Sequence, residues 1–241
     1  MSKITAPPAP DLPVETGRGA RSETTARRGR PSKSQGGRNG ETRDSILDAA
    51  EDAFSEDGFS GAAMKDIATR AGVAQGLLHY HFDNKDGLYS AVVHRRASAI
   101  NAERIERLDR VDMTGPRALE DIVAAFIVPP LGMSGGGRAY ARIFAGLVSG
   151  NARDSAVVSA NYDTTATRFL DALQAACPGV SRYTVSQGYH MALGALSTTL
   201  ARNGRAERLA GEEPGAQDMD AQARNLVTFV TGGIVALIGT T

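Results

Sequence analysis

The stretch Met64 to Phe82 reads MKDIATRAGVAQGLLHYHF, and it predicts two short helices separated by a glycine turn. Apolar residues of its first half recur at helical spacing, at Met64, Ile67, Ala68 and Ala71. Gly72 ends this helix, because glycine enters a left-handed turn without steric cost. In the second half Leu78 and Phe82 lie four residues apart for packing. Two helices in this arrangement are typical of a helix-turn-helix, whose second helix reads the major groove of DNA.

The flanking residues predict one helix before this stretch and a longer one after it. The first begins after Thr42 as its N-cap, ends at Asp57-Gly58, and carries apolar residues at helical spacing, at Ile46, Leu47, Ala50 and Phe54. The longer helix has a cap at Asp83-Asn84 and apolar positions from Leu88 to Leu108. The sequence therefore predicts a compact head of three helices, joined to the rest of the chain by one long helix, the stalk.

The head contains a pattern of many spaced positions between about residues 42 and 90. They are Ile46-Leu47-Asp48-Ala49-Ala50, Phe54, Gly58-Phe59, Ile67-Ala68, Ala71-Gly72-Val73, Gly76, Tyr80-His81-Phe82, Lys85 and Leu88. This pattern resembles the N-terminal domain of the tetracycline-repressor (TetR) family. The resemblance implies a dimeric, one-component transcriptional regulator on a palindromic DNA operator, with a variable C-terminal domain that binds a small molecule.

The predicted DNA contacts lie on and around the second helix of the motif. Gln75 can pair with adenine, Leu77 can pack on a thymine methyl, and Tyr80 can donate to phosphate. The full predicted set is Arg28, Arg30, Lys65, Gln75, Gly76, Leu77, His79, Tyr80 and Lys85. The alternative is that some of them are solvent-facing residues of a helix with no role in DNA binding.

Two positions depart from the family's pattern. Ala63 stands where the family usually has a threonine at the start of a helix, so a capping hydroxyl is lost, and Ser60 is a candidate substitute. His79 stands where the reading helix often carries a tyrosine, one residue before Tyr80. The choice of phosphate-contacting groups therefore stays open.

Charge is unevenly distributed along a chain whose 27 basic and 27 acidic residues balance. Residues 1–40 carry 8 basic and 3 acidic side chains, a net +5, whereas residues 41–90 carry 4 and 10, a net −6. The first segment is rich in Pro, Gly, Ser, Thr and Arg, which predicts a disordered arm. Its Arg28-Gly29-Arg30-Pro31 resembles an AT-hook, which lies in a narrow minor groove, although a solvated basic linker has the same composition. We expect the arm to supply the positive charge for phosphate that the head lacks.

The rest of the chain predicts helices and no strand with a period of two. Helices are predicted from Pro116 to Pro129-Pro130 and at about 138–150, 154–176, 181–203 and 218–239. The predicted organisation is all-α. It comprises an arm at 1–40, a three-helix DNA-binding head at 41–100 and, joined by the long helix, a larger ligand-binding and dimerisation domain at 101–241.

Aromatic residues and one methionine, on or next to these helices, could surround a central cavity for an effector. The predicted set is Phe126, Met133, Tyr140, Phe144, Tyr162, Phe169 and His190. Asn161, Arg142 and Arg168 are possible polar anchors. Aromatics at helical spacing are more often core than ligand contacts, so both interpretations stand. The mixture predicts a small apolar or amphipathic molecule.

The last two predicted helices are the candidates for a homodimer interface. One carries a strip of small residues, Gly188, Ala192, Ala195 and Thr199. The other has a broad apolar face made of Leu226, Phe229, Val230, Ile234, Leu237 and Ile238. Burial within one subunit is the alternative, but pairing with two-fold copies would make a four-helix interface.

Other function classes find little support. Cys177 is the only cysteine, which excludes an intrachain disulfide and a multi-cysteine metal site. His79 and His81 lie on different faces of a helix, and we predict no metal, cofactor or catalytic residue. The longest apolar stretch, Phe229 to Ile238, is about half a membrane span, and the N-terminus lacks the apolar run of a signal peptide. We therefore expect a cytoplasmic protein that does not enter a membrane.

These observations favour a ligand-responsive transcriptional regulator, most simply a repressor released by its effector. One alternative is a less sequence-specific DNA-binding protein, dominated by its basic arm, whose C-terminal domain only dimerises. Another is a helical enzyme or carrier that has kept a vestigial head. A short palindromic footprint, diffuse protection and no protection would distinguish the three.

Overall fold

The computed structural model describes residues 33–132, 136–149, 152–213 and 218–239, and every regular element in these ranges is a helix. The helices are α1 (Lys33–Gly61), α2 (Met64–Ala71), α3 (Gln75–Phe82), α4 (Lys85–Leu108), α5 (Ala118–Leu131), α6 (Gly137–Ser149), α7 (Ala152–Ala176), α8 (Arg182–Ala201), α9 (Arg205–Ala210) and α10 (Met219–Gly239). The all-α prediction is confirmed.

The head consists of α1, α2 and α3 packed against the first turns of α4. Its centre is a set of side chains with no exposed surface, Ile46, Leu47, Ile67, Leu78 and Leu88. Gly72 has a φ of 68°, and its N–H donates to the carbonyls of Ala68 and Thr69 at the end of α2. The predicted glycine turn between the two short helices is therefore confirmed.

Helix boundaries differ from the sequence-based prediction at three places. α1 begins at Lys33, so Thr42 lies inside it and is not an N-cap, and residues 33–40 are helical. A helix that is already nucleated fixes only one further residue for each added hydrogen bond, which permits this N-terminal extension. Gly58 has a φ of 67° and kinks α1 where the sequence predicted its end. α9 was not predicted, because its six residues bury none of their side chains.

The Pro129-Pro130 pair does not stop α5 but forms part of its last turn, and both prolines are buried. A proline has no N–H, so it leaves the carbonyl four residues earlier without its usual helical donor. Pro130 therefore frees the carbonyl of Phe126. The Nε of Arg104 on α4 takes the place of the missing donor, at 2.9 Å from that oxygen.

The body is built by α5 to α8 and α10 around the second half of α4. Large side chains from four of these helices fill its interior, including Ile100, Ile122, Phe169 and Leu196. Gly188 of α8 approaches α10 closely, because a Cβ there would lie 3.4 Å from Ile234. The strip of small residues predicted for dimerisation thus packs α8 against α10 of the same chain.

α10 has two faces. Ala223, Leu226, Val227, Val230 and Ile234 are buried against α5 and α8. The other face leaves Phe229 71% exposed and Val235 51% exposed. By length and composition alone α10 could cross a membrane, with a mean hydropathy of 1.3. It is longer than the predicted apolar run from Phe229 to Ile238, but one helix of this kind is weak evidence, since core helices of soluble proteins share these properties.

Candidate nucleic-acid interface and internal cavity

α3 presents one face to the core and the other to solvent. Leu78 and Phe82 are buried, and α3 packs against α2 and α4. The predicted contact residues Gln75, Gly76 and His79 are all exposed. Tyr80 is 73% exposed and Leu77 is 39% exposed, although both are large side chains. Every predicted DNA-contacting residue of α3 is therefore accessible from outside.

The predicted basic residues of the head occupy different positions. Lys65 lies on α2 and is exposed. Lys85 is half-buried, because its Nζ donates to the carbonyl of Ser60 at 3.3 Å and lies 4.8 Å from the centre of the Phe59 ring. Its charge thus caps the end of α1, and a phosphate contact remains a prediction. Arg28 and Arg30 lie outside the described residues.

The two departures from the family's pattern have structural outcomes. Ala63 is the N-cap of α2 and no side chain caps that helix, so Ser60 does not replace the missing hydroxyl. α2 compensates through the backbone, where the N–H groups of Asp66 and Ile67 both donate to the Ala63 carbonyl at 3.1 Å. The ring Nδ1 of His79 lies 2.9 Å from the carbonyl of Asp83 and helps to close the end of α3.

A buried carboxylate joins the head to α4. Glu51 of α1 is 3% exposed. Arg95 donates to its Oε2 at 2.8 Å, and the Nε of Arg96 lies 2.9 Å from both of its oxygens. Arg95 also bonds to Asp48 at 2.7 Å, but that carboxylate is exposed. The negative charge of Glu51 is thus neutralised by two cations on α4.

A second connection runs from the start of α7 to the head. The guanidinium of Arg153 lies 3.8 Å from the centre of the Phe59 ring and 5.4 Å from that of Tyr89. It also pairs with Asp154, which is 3% exposed, at 3.0 Å. Burial, with a contribution from the charge of Asp154, raises the pKa of Tyr89 to about 12. Cation–ring contacts of this kind favour a fixed orientation of α7 on the head.

A cavity of about 280 Å³ lies within the body between α4, α6, α7 and α8. Its lining is Arg104, Phe144, Leu147, Val148, Ser155, Val158, Tyr162, Asp163, Ala166, Tyr189, His190 and Leu193. The volume is just below the range typical of small-molecule sites, about 300–1,000 Å³. Six of the twelve lining side chains are wholly apolar, and the other six carry a polar group.

The structure divides the predicted pocket residues into three groups. Phe144, Tyr162 and His190 line the cavity. Phe126, Tyr140 and Phe169 are buried and do not line it: Phe126 and Phe169 pack edge to face at 5.6 Å, and the Tyr140 hydroxyl hydrogen-bonds to that of Tyr162. Met133 lies outside the described residues. The lining thus includes some predicted aromatics, while others are core.

The predicted polar anchors lie elsewhere. Asn161 joins α7 to α4 through Asn101, whose Nδ2 donates to its carbonyl at 2.8 Å, and through His94 at 3.0 Å. Arg168 is a surface residue paired with Asp109 at 2.6 Å. Arg142 is exposed and is not in the lining. None of the three reaches the cavity.

The polar residue that sequence reasoning missed is Arg104. It is 2% exposed, its Nε donates to the carbonyl of Phe126, and its guanidinium carbon lies 4.4 Å from the centre of the Phe126 ring. Its Nη2 is buried and has no hydrogen-bond partner among the residues that the structure describes. A signal was present in the sequence, since Arg104 interrupts the apolar stripe of Ala97, Ile100 and Leu108 at helical spacing.

Comparisons with known proteins agree with this geometry. Residues 46–92 match the family described as bacterial regulatory proteins, tetR family, and residues 124–233 match a tetracyclin repressor-like C-terminal domain. The chain is 40% identical over 74 residues to the HTH-type transcriptional regulator UidR of Escherichia coli K12, a match of 30% of this chain and 38% of UidR. It is 39% identical over 84 residues to the HTH-type transcriptional repressor NicS of Pseudomonas putida KT2440, covering 34% and 39%. The chain thus spans less than two fifths of the length of these relatives.

A solved structure extends the similarity to the body. The TetR-like transcriptional regulator from Rhodococcus sp. RHA1 superposes with a TM-score of 0.57 at 22% identity, covering 80% of this chain and 96% of that one. At that identity the likeness shows the fold alone. Because the two family matches cover both the head and the body, the chain belongs to the TetR family of helix-turn-helix, DNA-binding transcriptional regulators.

Proposed function

We propose that the protein is a homodimeric, cytoplasmic repressor that binds a palindromic operator through α3 and is released by a small effector in the body's cavity. The observation that carries the proposal is the exposed face of α3. Large side chains such as Tyr80 and Leu77 extend into solvent there, whereas Leu78 and Phe82 hold the helix rigidly from behind. An exposed aromatic on a short, firmly packed helix is suited to the backbone and base contacts of a major groove.

The unoccupied side of α10 supports the dimer. Phe229 and Val235 are exposed on it beside Gly232 and Gly233, at which an added Cβ would meet no atom within 4 Å. Met191 of α8 is also 60% exposed. A second α8–α10 pair would cover these apolar groups and place two reading helices on one face of DNA, about one helical turn apart.

α4 connects the cavity to the head. Arg104 lines the cavity, and Arg96 on the same helix holds Glu51 of α1. Eight residues of helix separate the two arginines, about 12 Å. An effector that binds one orientation of α4 more tightly would therefore shift the spacing of the two heads, by no more than its differential affinity allows.

DNA protection on the sequence upstream of the protein's own gene tests the proposal. The wild-type protein should give a short palindromic footprint, and Tyr80→Ala should abolish it without changing the mass of the dimer. Tyr183→Ala is a matched control, because Tyr183 is equally exposed, at 73%, but lies on α8 of the body. Diffuse protection would instead favour a protein dominated by its basic arm, and a footprint retained by Tyr80→Ala would overturn the assignment of α3.

The basic arm is tested by deleting residues 1–32 and leaving α1 intact from Lys33. These residues carry six basic and three acidic side chains. Because phosphate neutralisation sets the salt dependence of DNA affinity, the deletion should weaken binding and flatten the slope of log K against log salt. An unchanged slope would show that the head alone supplies the electrostatic contacts.

A further inference from the structure

We propose that the cavity in the body binds a small organic monoanion, an acid with one carboxylate and an apolar remainder, and that Arg104 binds the carboxylate. This inference rests on the function proposed above, because it names the chemical class of the effector. It depends on one buried positive charge, that of Arg104, which has no negatively charged partner among the described residues.

Arg104 is a buried cation that forms no ion pair with an acidic residue in the described part of the chain. The acidic neighbours along α4 pair elsewhere, Glu103 with Arg107 and Glu106 with Arg110. Asp163 is the acidic residue in the cavity lining, but it is exposed and accepts a hydrogen bond from Ser159 at 2.7 Å. A guanidinium stays charged in proteins. A buried charge without a partner is costly, so a bound anion would stabilise this site.

The tyrosines around Arg104 do not neutralise it. Burial raises the pKa of Tyr140, Tyr162 and Tyr189 above the ordinary value, so all three hydroxyls are protonated at neutral pH. Burial also lowers the pKa of Arg104, which is the expected response of a cation that lacks a counter-charge. The surrounding groups can donate or accept hydrogen bonds but supply no negative charge.

The orientation of Arg104 is fixed before any ligand binds. Pro130 leaves the Phe126 carbonyl free, the Nε of Arg104 donates to it at 2.9 Å, and the guanidinium lies over the Phe126 ring. The Nε side of the guanidinium is thereby held by α5. The terminal nitrogen Nη2 has no hydrogen-bond partner in the described part of the chain. A preorganised donor of this kind binds a carboxylate strongly, because charge-assisted hydrogen bonds are about twice as strong as neutral ones.

The rest of the lining defines the remainder of the molecule. Phe144, Leu147, Val148, Val158 and Leu193 give an apolar wall on three sides. The small volume excludes a large ligand, and the negative charge of Asp163 opposes a second anionic group on the same molecule. A short aliphatic or aromatic acid meets these conditions.

The test compares acids with their uncharged amides on the full-length protein. The probes are phenylacetate and octanoate, each beside its primary amide, measured by calorimetry and by the shift in melting temperature. At least one acid should bind, and it should bind at least about tenfold more tightly than its amide, as expected for a hydrogen bond to a charged group. Equal affinity of acid and amide, or no binding of either acid at millimolar concentration, would overturn the proposal.

Variants assign the effect to Arg104. Arg104→Met should lose acid binding, and Arg104→Gln provides a second neutral variant that keeps a donor for the Phe126 carbonyl. Arg168→Met is the matched control, since it removes a surface arginine outside the cavity and should leave acid binding unchanged. Acid binding retained by both Arg104 variants would contradict the role of this side chain.

DNA binding is measured separately so that the two proposals fail independently. A specific footprint without acid binding would reject the anion site and leave the regulator intact. Acid binding without a footprint would reject the regulator and leave the anion site intact. Release of the footprint by the acid but not by its amide is the result expected when both are correct.

Discussion

Glu51 and Arg104 are both charged, both almost wholly buried, and both positioned by contacts with another helix. Two arginines of α4 surround Glu51 and neutralise it. Arg104 contacts a carbonyl and an aromatic ring, and within the described ranges it pairs with no carboxylate. The first arrangement is complete and fixes the head on the stalk. The second is electrostatically incomplete in the free protein, which is the property expected of a binding site and not of a structural contact.

The largest expected effect follows removal of Glu51, the buried charge that has oppositely charged partners. Glu51→Ala leaves two partly buried arginines without their shared partner and should lower the free energy of unfolding by about 3 kcal/mol. Urea denaturation measures this change. Asp48→Ala is the control, because Asp48 is exposed and its pairing with Arg95 should contribute less than about 1 kcal/mol. Equal losses of stability in Glu51→Ala and Asp48→Ala would show that the buried, paired carboxylate contributes no more than the exposed one.

Removal of the unmatched charge should have the opposite sign. Arg104→Gln removes the lone buried cation and keeps a donor for the Phe126 carbonyl that Pro130 leaves free, so the free energy of unfolding should stay equal or rise by up to about 2 kcal/mol. The same urea titration, without ligand, tests this. A loss of more than about 1 kcal/mol would mean that the chain already compensates the charge of Arg104 internally.

A smaller effect is expected from the proline that positions Arg104. Pro130→Ala restores a backbone N–H that competes with Arg104 for the Phe126 carbonyl. Arg104 would then lose about one hydrogen bond that orients its guanidinium. The affinity for the acid should therefore fall about fivefold, or about 1 kcal/mol, while the footprint without ligand stays unchanged. Pro129→Ala is the control, since its N–H would face the carbonyl of Ala125, to which Arg104 does not bond.

The smallest expected effect is a change in stability caused by the buried tyrosines, and it appears only at alkaline pH. Below about pH 10 the tyrosines are protonated in both the folded and the unfolded chain. Above it the unfolded chain loses protons that the fold retains, because burial raises the pKa of Tyr140, Tyr162 and Tyr189, and that of Tyr89 to about 12. The folded state then binds more protons, so stability falls as pH rises from 10 towards 12. Urea midpoints over this range should decrease less steeply for Tyr140→Phe.

The sequence predicted the head in more detail than the body for a physical reason. The glycine turn at Gly72, the packing residues Leu78 and Phe82, and the cap at Asn84, whose side chain accepts from the Gly87 N–H at 2.9 Å, are all determined by neighbours a few residues away. Arg104 depends on a carbonyl 22 residues along the chain and on the proline that frees it. Such a contact follows from how α4 meets α5, and local periodicity contains no information on that.

The same limit applies to the predicted pocket and interface. Tyr162 and Phe144 line the cavity, whereas Phe126 and Phe169 point into the core, although all four share the helical spacing that predicted them. The apolar face of α10 was predicted as one surface and is two, with Leu226 inside and Phe229 outside. Periodicity identifies the apolar side chains, and only the tertiary arrangement decides what each one contacts.

Because one side of α10 is exposed in the single chain, formation of the proposed dimer would depend on the concentration of the protein, and so would its regulation of transcription. Pairing of two chains obeys mass action, so the paired fraction and its resistance to unfolding both rise with total concentration. A single chain would carry one copy of α3, the proposed reading helix, and would lack the gain in effective concentration that a second, tethered copy provides on the other half of a palindromic operator. Under the proposed function, a protein at low copy number would leave its operator largely vacant even without effector, and occupancy would then depend on the amount of the protein as well as on the proposed effector.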